Sequence, residues 1–278
     1  MKNFIIRALT AIAIVAVQVL CTYLSPLSLA ALFLLLTALT VNEFLGIVSK
    51  AGNIAVSRPV VIMGSCYLFF AIWLNCLSQG GALVVFAPYL AFLLYCYIKE
   101  LYGKHADPLA NLGAIMLSQF YVVLPLSLIN VLAFTKFECF TDTAPYYAIP
   151  LAIYVFIWIN DTGAYLTGVT MGRHRLFPRI SPKKSWEGSI GGALLTVGSA
   201  FAVAHFCPFM NVWQWIGMAL TVVVTGTYGD LTESMMKRQL GMKDSGHILP
   251  GHGGFLDRLD SMLFAIPAVV VYLVALSL

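Results

Sequence analysis

The sequence predicts an all-α polytopic membrane protein of about nine transmembrane helices, with the N-terminus cytoplasmic and the C-terminus outside. Three observations carry this. Of 278 residues, 60% are hydrophobic and only 10% charged, whereas a soluble domain carries about 25% charged residues. The mean hydropathy is +0.88, and apolar runs long enough to cross a bilayer recur along the chain. The basic residues fall almost entirely in alternate loops, as cytoplasmic loops require. A backbone in lipid must satisfy its own hydrogen bonds, so these runs are helices.

The expected spans are 4–24, 27–48, 60–78, 82–102, 110–134, 145–168, 187–206, 212–235 and 256–278. The first apolar run lacks a small-residue cleavage site and reads as a retained helix, not a signal peptide. Ser25-Pro26 and Ser78-Gln79-Gly80-Gly81 are short connections that demand antiparallel neighbours. With nine spans, all 16 Lys and Arg residues except Lys136 lie on the cytoplasmic side. No soluble domain, long linker, low-complexity tract or repeat interrupts the pattern. The chain divides by content into N-terminal helices one to five, 1–134, and a catalytic region of helices six to nine with their cytoplasmic loops, 135–278. The six cysteines show no metal-ligand spacing, and most of them read as small buried hydrophobes.

Polar residues inside the spans mark the places where the pattern does more than anchor. Glu43 lies near the cytoplasmic end of span two; a structural hydrogen bond or snorkelling is favoured there over the functional role that an ionisable group inside a membrane otherwise suggests. Span six ends in WINDTGAYLTG, with Asp161, Tyr165, Gly168 and Gly172 on one helical face. That stripe suits a glycine-lined polar cavity or an interhelical hydrogen bond. The following loop holds five basic residues. They satisfy the positive-inside rule without a ligand. Lys183 and Lys184 nevertheless stand just before a helix start, which Ser185 can cap with Glu187 in the first turn. A helix start beside lysines favours anions.

Span eight ends in TGTYGDLTESMMKRQ, where Gly226, Asp230, Glu233, Ser234 and Lys237 occupy one narrow arc. Such a stripe lines a cavity instead of facing lipid. The next loop carries Lys243, Asp244 and a glycine-rich stretch with His252, Gly253 and Gly254. Glycines let backbone N–H groups approach phosphate. Span nine opens with Asp257, Arg258, Asp260 and Ser261. Asp230 and Asp257 are expected to meet across the two helices, and facing carboxylates beside a phosphate site suit Mg²⁺. A salt-bridge cluster with Lys237, Arg238 and Arg258 is the alternative.

The order Ser234-x-x-Lys237-Arg238-x4-Lys243-Asp244-x-Gly246-x2-Leu249-Pro250-x-His252-Gly253-Gly254-x2-Asp257-Arg258-x-Asp260 resembles the motif of the phosphatidate cytidylyltransferases, the CDP-diacylglycerol synthases. Asp161-Thr162 and Ser181-Pro182-Lys183-Lys184 are similar to upstream elements of that family. The resemblance covers roughly residues 155–262. It implies transfer of the cytidylyl group of CTP to phosphatidic acid, giving CDP-diacylglycerol and pyrophosphate in phospholipid biosynthesis. It implies metal-assisted in-line attack by the lipid phosphate with Mg²⁺, alone or with a second cation. Asp230, Asp257, Asp260, Lys237 and Arg258 become the catalytic candidates. Asp230, Asp257, Asp260 and Asp161 become the metal candidates. Lys183, Lys184, Ser185, Ser234, Arg238, Lys243, Asp244, His252, Gly253 and Gly254 become the substrate-binding set. The expected partners are CTP, phosphatidic acid and membrane lipids, with no nucleic acid and with a homodimer as the family's form. The expected location is the bacterial inner membrane, with the active site facing the cytoplasm. The rivals are a transporter and a different CTP-using lipid enzyme such as a polyprenol or dolichol kinase.

Overall fold

A computed structural model of the protein describes residues 2–52, 54–78, 80–81, 83–141, 144–242, 245–246 and 253–278. Every expected span corresponds to helix among these residues. Among the described residues, seven helical stretches are long and apolar enough to cross a membrane: Pro26–Lys50, Arg58–Leu77, Leu83–Tyr102, Pro108–Phe134, Ala148–Met171, Trp186–Phe206 and Leu256–Leu276. Two further helices complete the set. The first, α1 (Lys2–Leu24), is apolar over Leu9–Leu24. The other, α10 (Val212–Gln239), is lowered in hydropathy by the charges of its second half. The all-α polytopic reading therefore holds. Its helices fall into two compact units, one formed by Met1–Thr135 with Leu240–Leu259, the other by Lys136–Gln239 with Asp260–Leu278.

The first unit begins with α1 and turns sharply at Ser25 into α2 (Pro26–Ala51). The turn is a capping box: the Ser28 amide donates to Ser25 Oγ and the Ser25 amide to Ser28 Oγ, both at 3.0 Å. Pro26 fits the first helical position, where no N–H is needed. Next come α3 (Arg58–Leu77), a 3-10 turn at Leu83–Phe86 and α4 (Ala87–Tyr102). The expected single helix over 110–134 is interrupted. It runs as α5 (Pro108–Ser118), a π-helical turn at Gln119–Val123, α6 (Leu124–Ser127) and α7 (Ile129–Phe134). Pro125 supplies the cause, since it offers no N–H to the preceding turn and its ring crowds that turn's carbonyl. The core of this unit is Leu29, Phe33, Leu45, Leu126 and Ile129, all fully buried. Lipid tails are as apolar as these side chains, so close packing, not exclusion of water, holds them.

The second unit contains α8 (Ala148–Met171), α9 (Trp186–Phe206), α10 and the part of α11 (Leu256–Leu276) from Asp260 onward. Its centre is Trp215, which packs edge-on against Phe156 and Phe209 and donates from Nε1 to the Cys207 carbonyl at 3.1 Å. Tyr272 of α11 donates to the Gln214 carbonyl at 2.8 Å. The α8–α9 pair is closer still. Gly188, Gly192, Thr196 and Ala200 form the buried stripe of α9, and a side chain at Gly188 or Gly192 would strike the backbone of α8.

The basic loop before α9 is not irregular. It folds as a hairpin of β1 (Arg175–Phe177) and β2 (Ser181–Ser185), antiparallel, with Arg175 opposite Ser185 and Phe177 opposite Ser181. The Ile180 amide closes the turn on the Phe177 carbonyl at 3.2 Å. The charges concealed these strands because they mask any apolar alternation. All six cysteines are free thiols, Cys139 and Cys207 included.

Candidate active site

The glycine stripe of α9 brings the end of α8 against the start of α9, and a cavity of about 540 Å³ opens beside this seam. Asp161, Tyr165 and Gly168 line it from α8, as their shared face predicts, and Arg175, Lys183, Lys184 and Ser185 line it from the hairpin. Gly226, Thr227 and Asp230 complete it from α10, with Ser261 from α11. Ser185 caps α9: its hydroxyl accepts from the Gly188 amide at 3.1 Å. Glu187 in the first turn has a further task. Its carboxylate accepts from the Arg173 and His174 amides and pairs with His174 Nδ1 at 2.6 Å, which ties the loop start to the helix.

On the other wall, α10 and α11 approach closely at Gly229. A Cβ there would overlap the carbonyl oxygen of Asp260. The contact gathers three carboxylates: Asp230, Glu233 and Asp260 each offer an oxygen within 4.8 Å of the others. Asp230 and Glu233 are three residues apart on one helix face. Lys184 Nζ lies 2.5 Å from Asp230 Oδ2, and Ser234 Oγ donates to Asp230 Oδ1 at 3.2 Å. Lys237 Nζ meets Glu233 Oε2 at 2.6 Å, and the Ser261 amide donates to Asp260 Oδ1 at 2.6 Å. Three converging carboxylates are hard oxygen donors of the kind that suits Mg²⁺ with substrate oxygens completing its shell. The donor set therefore fits such a cation.

The remaining sequence-derived candidates distribute as follows. Lys183 is exposed at the cavity. Arg238 is exposed on α10, with Nε donating to the Ile180 carbonyl at 3.4 Å, so it braces the hairpin turn. Asp257 sits in the first turn of α11, where Oδ2 accepts from the Ser245 and Gly254 amides, both at 2.9 Å. Gly253 has a φ of +81°, a conformation for which glycine is suited. Arg258 is exposed. Lys243, Asp244 and His252 lie outside the described residues. Glu43 makes the expected structural hydrogen bonds, with the Phe255 amide donating to it at 2.8 Å. Sequence reasoning put Glu233 on the polar arc but not among the metal candidates. Its three-residue spacing from Asp230 was the available signal. Arg175 entered that reading only as one loop cation among five.

Comparison with known proteins adds the lineage. A family model described as "Cytidylyltransferase family" matches residues 5–276. A phosphatidate cytidylyltransferase of Staphylococcus aureus (strain COL) is 48% identical over 125 residues, covering 45% of this chain and 48% of the relative. One from Haemophilus influenzae is 45% identical over 130 residues, covering 44% and 45%. In these alignments the chain spans about half the length of the curated relatives it matches. The family match runs through nearly the whole sequence, from the first helix to the last, and on that basis the chain belongs to the cytidylyltransferase family.

Proposed function

We propose that the protein transfers the cytidylyl group of CTP to phosphatidic acid, forming CDP-diacylglycerol and releasing pyrophosphate. The observation that carries this reading is the convergence of Asp230, Glu233 and Asp260 beside a cavity lined by Lys183, Lys184 and Arg175. That juxtaposition of carboxylates and cations, with Lys184 already paired to Asp230, suits a polyphosphate and its counter-ion. The match to relatives named phosphatidate cytidylyltransferase supports the same reaction.

An oxygen of the lipid phosphate attacks the α-phosphorus of CTP. The new P–O bond forms as the bond to the β-phosphate oxygen breaks, and the electron pair leaves with pyrophosphate. The nucleophile is already anionic, so no side chain has to remove a proton from it. Bound Mg²⁺ supplies neutralisation of the triphosphate and of the leaving group. Asp230, Asp260 and Glu233 would hold it, with Asp257 and Asp161 as the further ligands that the motif offers. Lys237, Arg238, Lys243 and Arg258 bind the triphosphate, and Lys183 and Lys184 bind the lipid phosphate. Phosphatidic acid reacts without leaving the bilayer, because the polar ends of the helices meet it at the surface.

The deciding assay combines purified protein with labelled CTP, Mg²⁺ and phosphatidic acid. The expected products are pyrophosphate and a lipid-soluble cytidine compound. Release of CDP with a phosphorylated lipid would identify a kinase instead. Nucleotide-independent uptake into sealed vesicles would identify a transporter.

Lys184→Gln tests the cationic wall. Loss of a charge-assisted contact to phosphate should raise the apparent KM for phosphatidic acid or CTP roughly tenfold. Insertion should be unaffected, since other basic residues of the loop remain. Unchanged kinetics would reduce Lys184 to a counter-ion of Asp230.

We also place the active site on the cytoplasmic face, from the distribution of basic residues. Lys136 is exposed, whereas the thiol of Cys139 is half-buried and contacts the Leu273 carbonyl at 3.8 Å. Lys136→Cys, in a chain whose native cysteines are replaced by alanine, is therefore the better reporter. A membrane-impermeant thiol reagent should label it in intact cells. Labelling only after the membrane is opened would reverse the topology.

A further inference from the structure

Glu43 lies about two turns from the C-terminal end of α2 and is only 7% exposed. A carboxylate in such a place persists where it has partners and a task. Its partners belong to a segment some 200 residues later in the chain, the one that leads into α11. The Phe255 amide donates to Oε2 at 2.8 Å and the Leu256 amide to Oε1 at 3.3 Å. The Ser245 hydroxyl also donates to Oε1.

Leu256 is the first residue of α11. A helix start leaves its first N–H groups without intrahelical acceptors, and these are usually served by the residue just before the helix. Here that residue is Phe255, which has no side-chain oxygen. Glu43 supplies the missing acceptor from another helix, and its negative charge suits the positive end of the α11 dipole. The glycines of the segment belong to the same arrangement. A Cβ on Gly254 would overlap the Glu43 carboxylate, and one on Gly246 would lie 3.1 Å from it. Asp257 takes the neighbouring amides of Ser245 and Gly254, so two carboxylates between them hold Ser245 and the residues from Gly254 to Leu256.

We propose that Glu43 is a positioning residue for the transfer reaction: it anchors Ser245 and the Phe255–Leu256 start of α11, and so fixes the turn that presents Asp257. The catalytic half of this statement rests on the cytidylyl-transfer reading. Glu43 itself touches neither substrate in this scheme and acts through backbone amides.

Glu43→Gln is the informative change. The carboxamide keeps the size but puts an N–H₂ donor where an acceptor for Phe255 or Leu256 is required. Glu43→Asp keeps the charge on a shorter stem. Both are compared with wild type as the full chain in detergent micelles, by hydrogen–deuterium exchange, thermal unfolding and steady-state kinetics. In Glu43→Gln, exchange of the Phe255 and Leu256 amides should quicken roughly tenfold or more. At the same time kcat should fall by a similar factor while KM for phosphatidic acid stays put, and Glu43→Asp should recover part of both. Exchange at the wild-type rate in both variants overturns the anchor. Faster exchange with unchanged kcat overturns the link to catalysis. Wild-type protein that makes no CDP-diacylglycerol points to the reaction assignment as the fault, and the exchange rates still decide whether Glu43 anchors the segment.

Discussion

Asp230→Asn is expected to lower turnover by about 100-fold or more while the protein still inserts and folds. Asparagine preserves the shape and one carbonyl oxygen but removes the charge that a hard cation requires, and loss of one electrostatic contact of that kind costs on the order of 100-fold. Asp260→Asn and Asp257→Asn should be comparably damaging. In the double variant Asp230→Asn, Asp257→Asn the losses should fall well short of multiplying, because one missing ligand already disables the unit. Binding of Mn²⁺, followed by paramagnetic resonance, gives a readout independent of turnover and should weaken in step. A purely structural ion cluster predicts the opposite outcome: lower thermal stability with normal activity per folded molecule. Full activity and undiminished Mn²⁺ binding in Asp230→Asn would move the cation site towards Asp161.

Gly229→Ala should be nearly as harmful although it removes no functional group. The added methyl would overlap the Asp260 carbonyl oxygen and lie 3.2 Å from Ser261 Cα. Main chain cannot swing aside as a flexible side chain can, so α10 must shift away from α11. Overpacking of this kind costs about 1–3 kcal/mol, and the shift separates Asp230 and Glu233 from Asp260. Gly226→Ala is the matched control, because its methyl would meet Ser261 Cβ at 3.5 Å, an ordinary contact. Melting temperature and kcat measured on both should drop for Gly229→Ala and stay near wild type for Gly226→Ala. If Gly229→Ala retains both, the close approach is not what assembles the carboxylates.

The sequence revealed the parts of this molecule that rest on local chemistry. Hydropathy marked the expected spans, though not the break within 110–134; the Ser185 cap followed from its position before an apolar run, and the cavity face of α8 was readable from the spacing of Asp161, Tyr165 and Gly168. Features that depend on distant partners were not readable. Nothing near Glu43 announces Ser245, 202 residues away. The pairing of Lys184 with Asp230 joins residues on β2 and α10. The hairpin escaped notice because the loop's charges conceal any strand alternation. The glycines of the motif looked like a phosphate cradle. For Gly254 the structure supplies another reason, the Glu43 carboxylate lying where its side chain would be.

The α8–α9 seam has a thermal consequence. Its stripe of Gly188, Gly192, Thr196 and Ala200 surrenders almost no rotamer freedom on association, since glycine and alanine have none to lose. Helix pairs joined by long aliphatic side chains must freeze those chains, and that entropic penalty grows in proportion to temperature. The seam escapes most of it. Warming or a more fluid bilayer should therefore loosen the side-chain-packed contacts of the fold first, leaving the cavity wall beside Asp161 and Lys184 among the last surfaces to lose its shape.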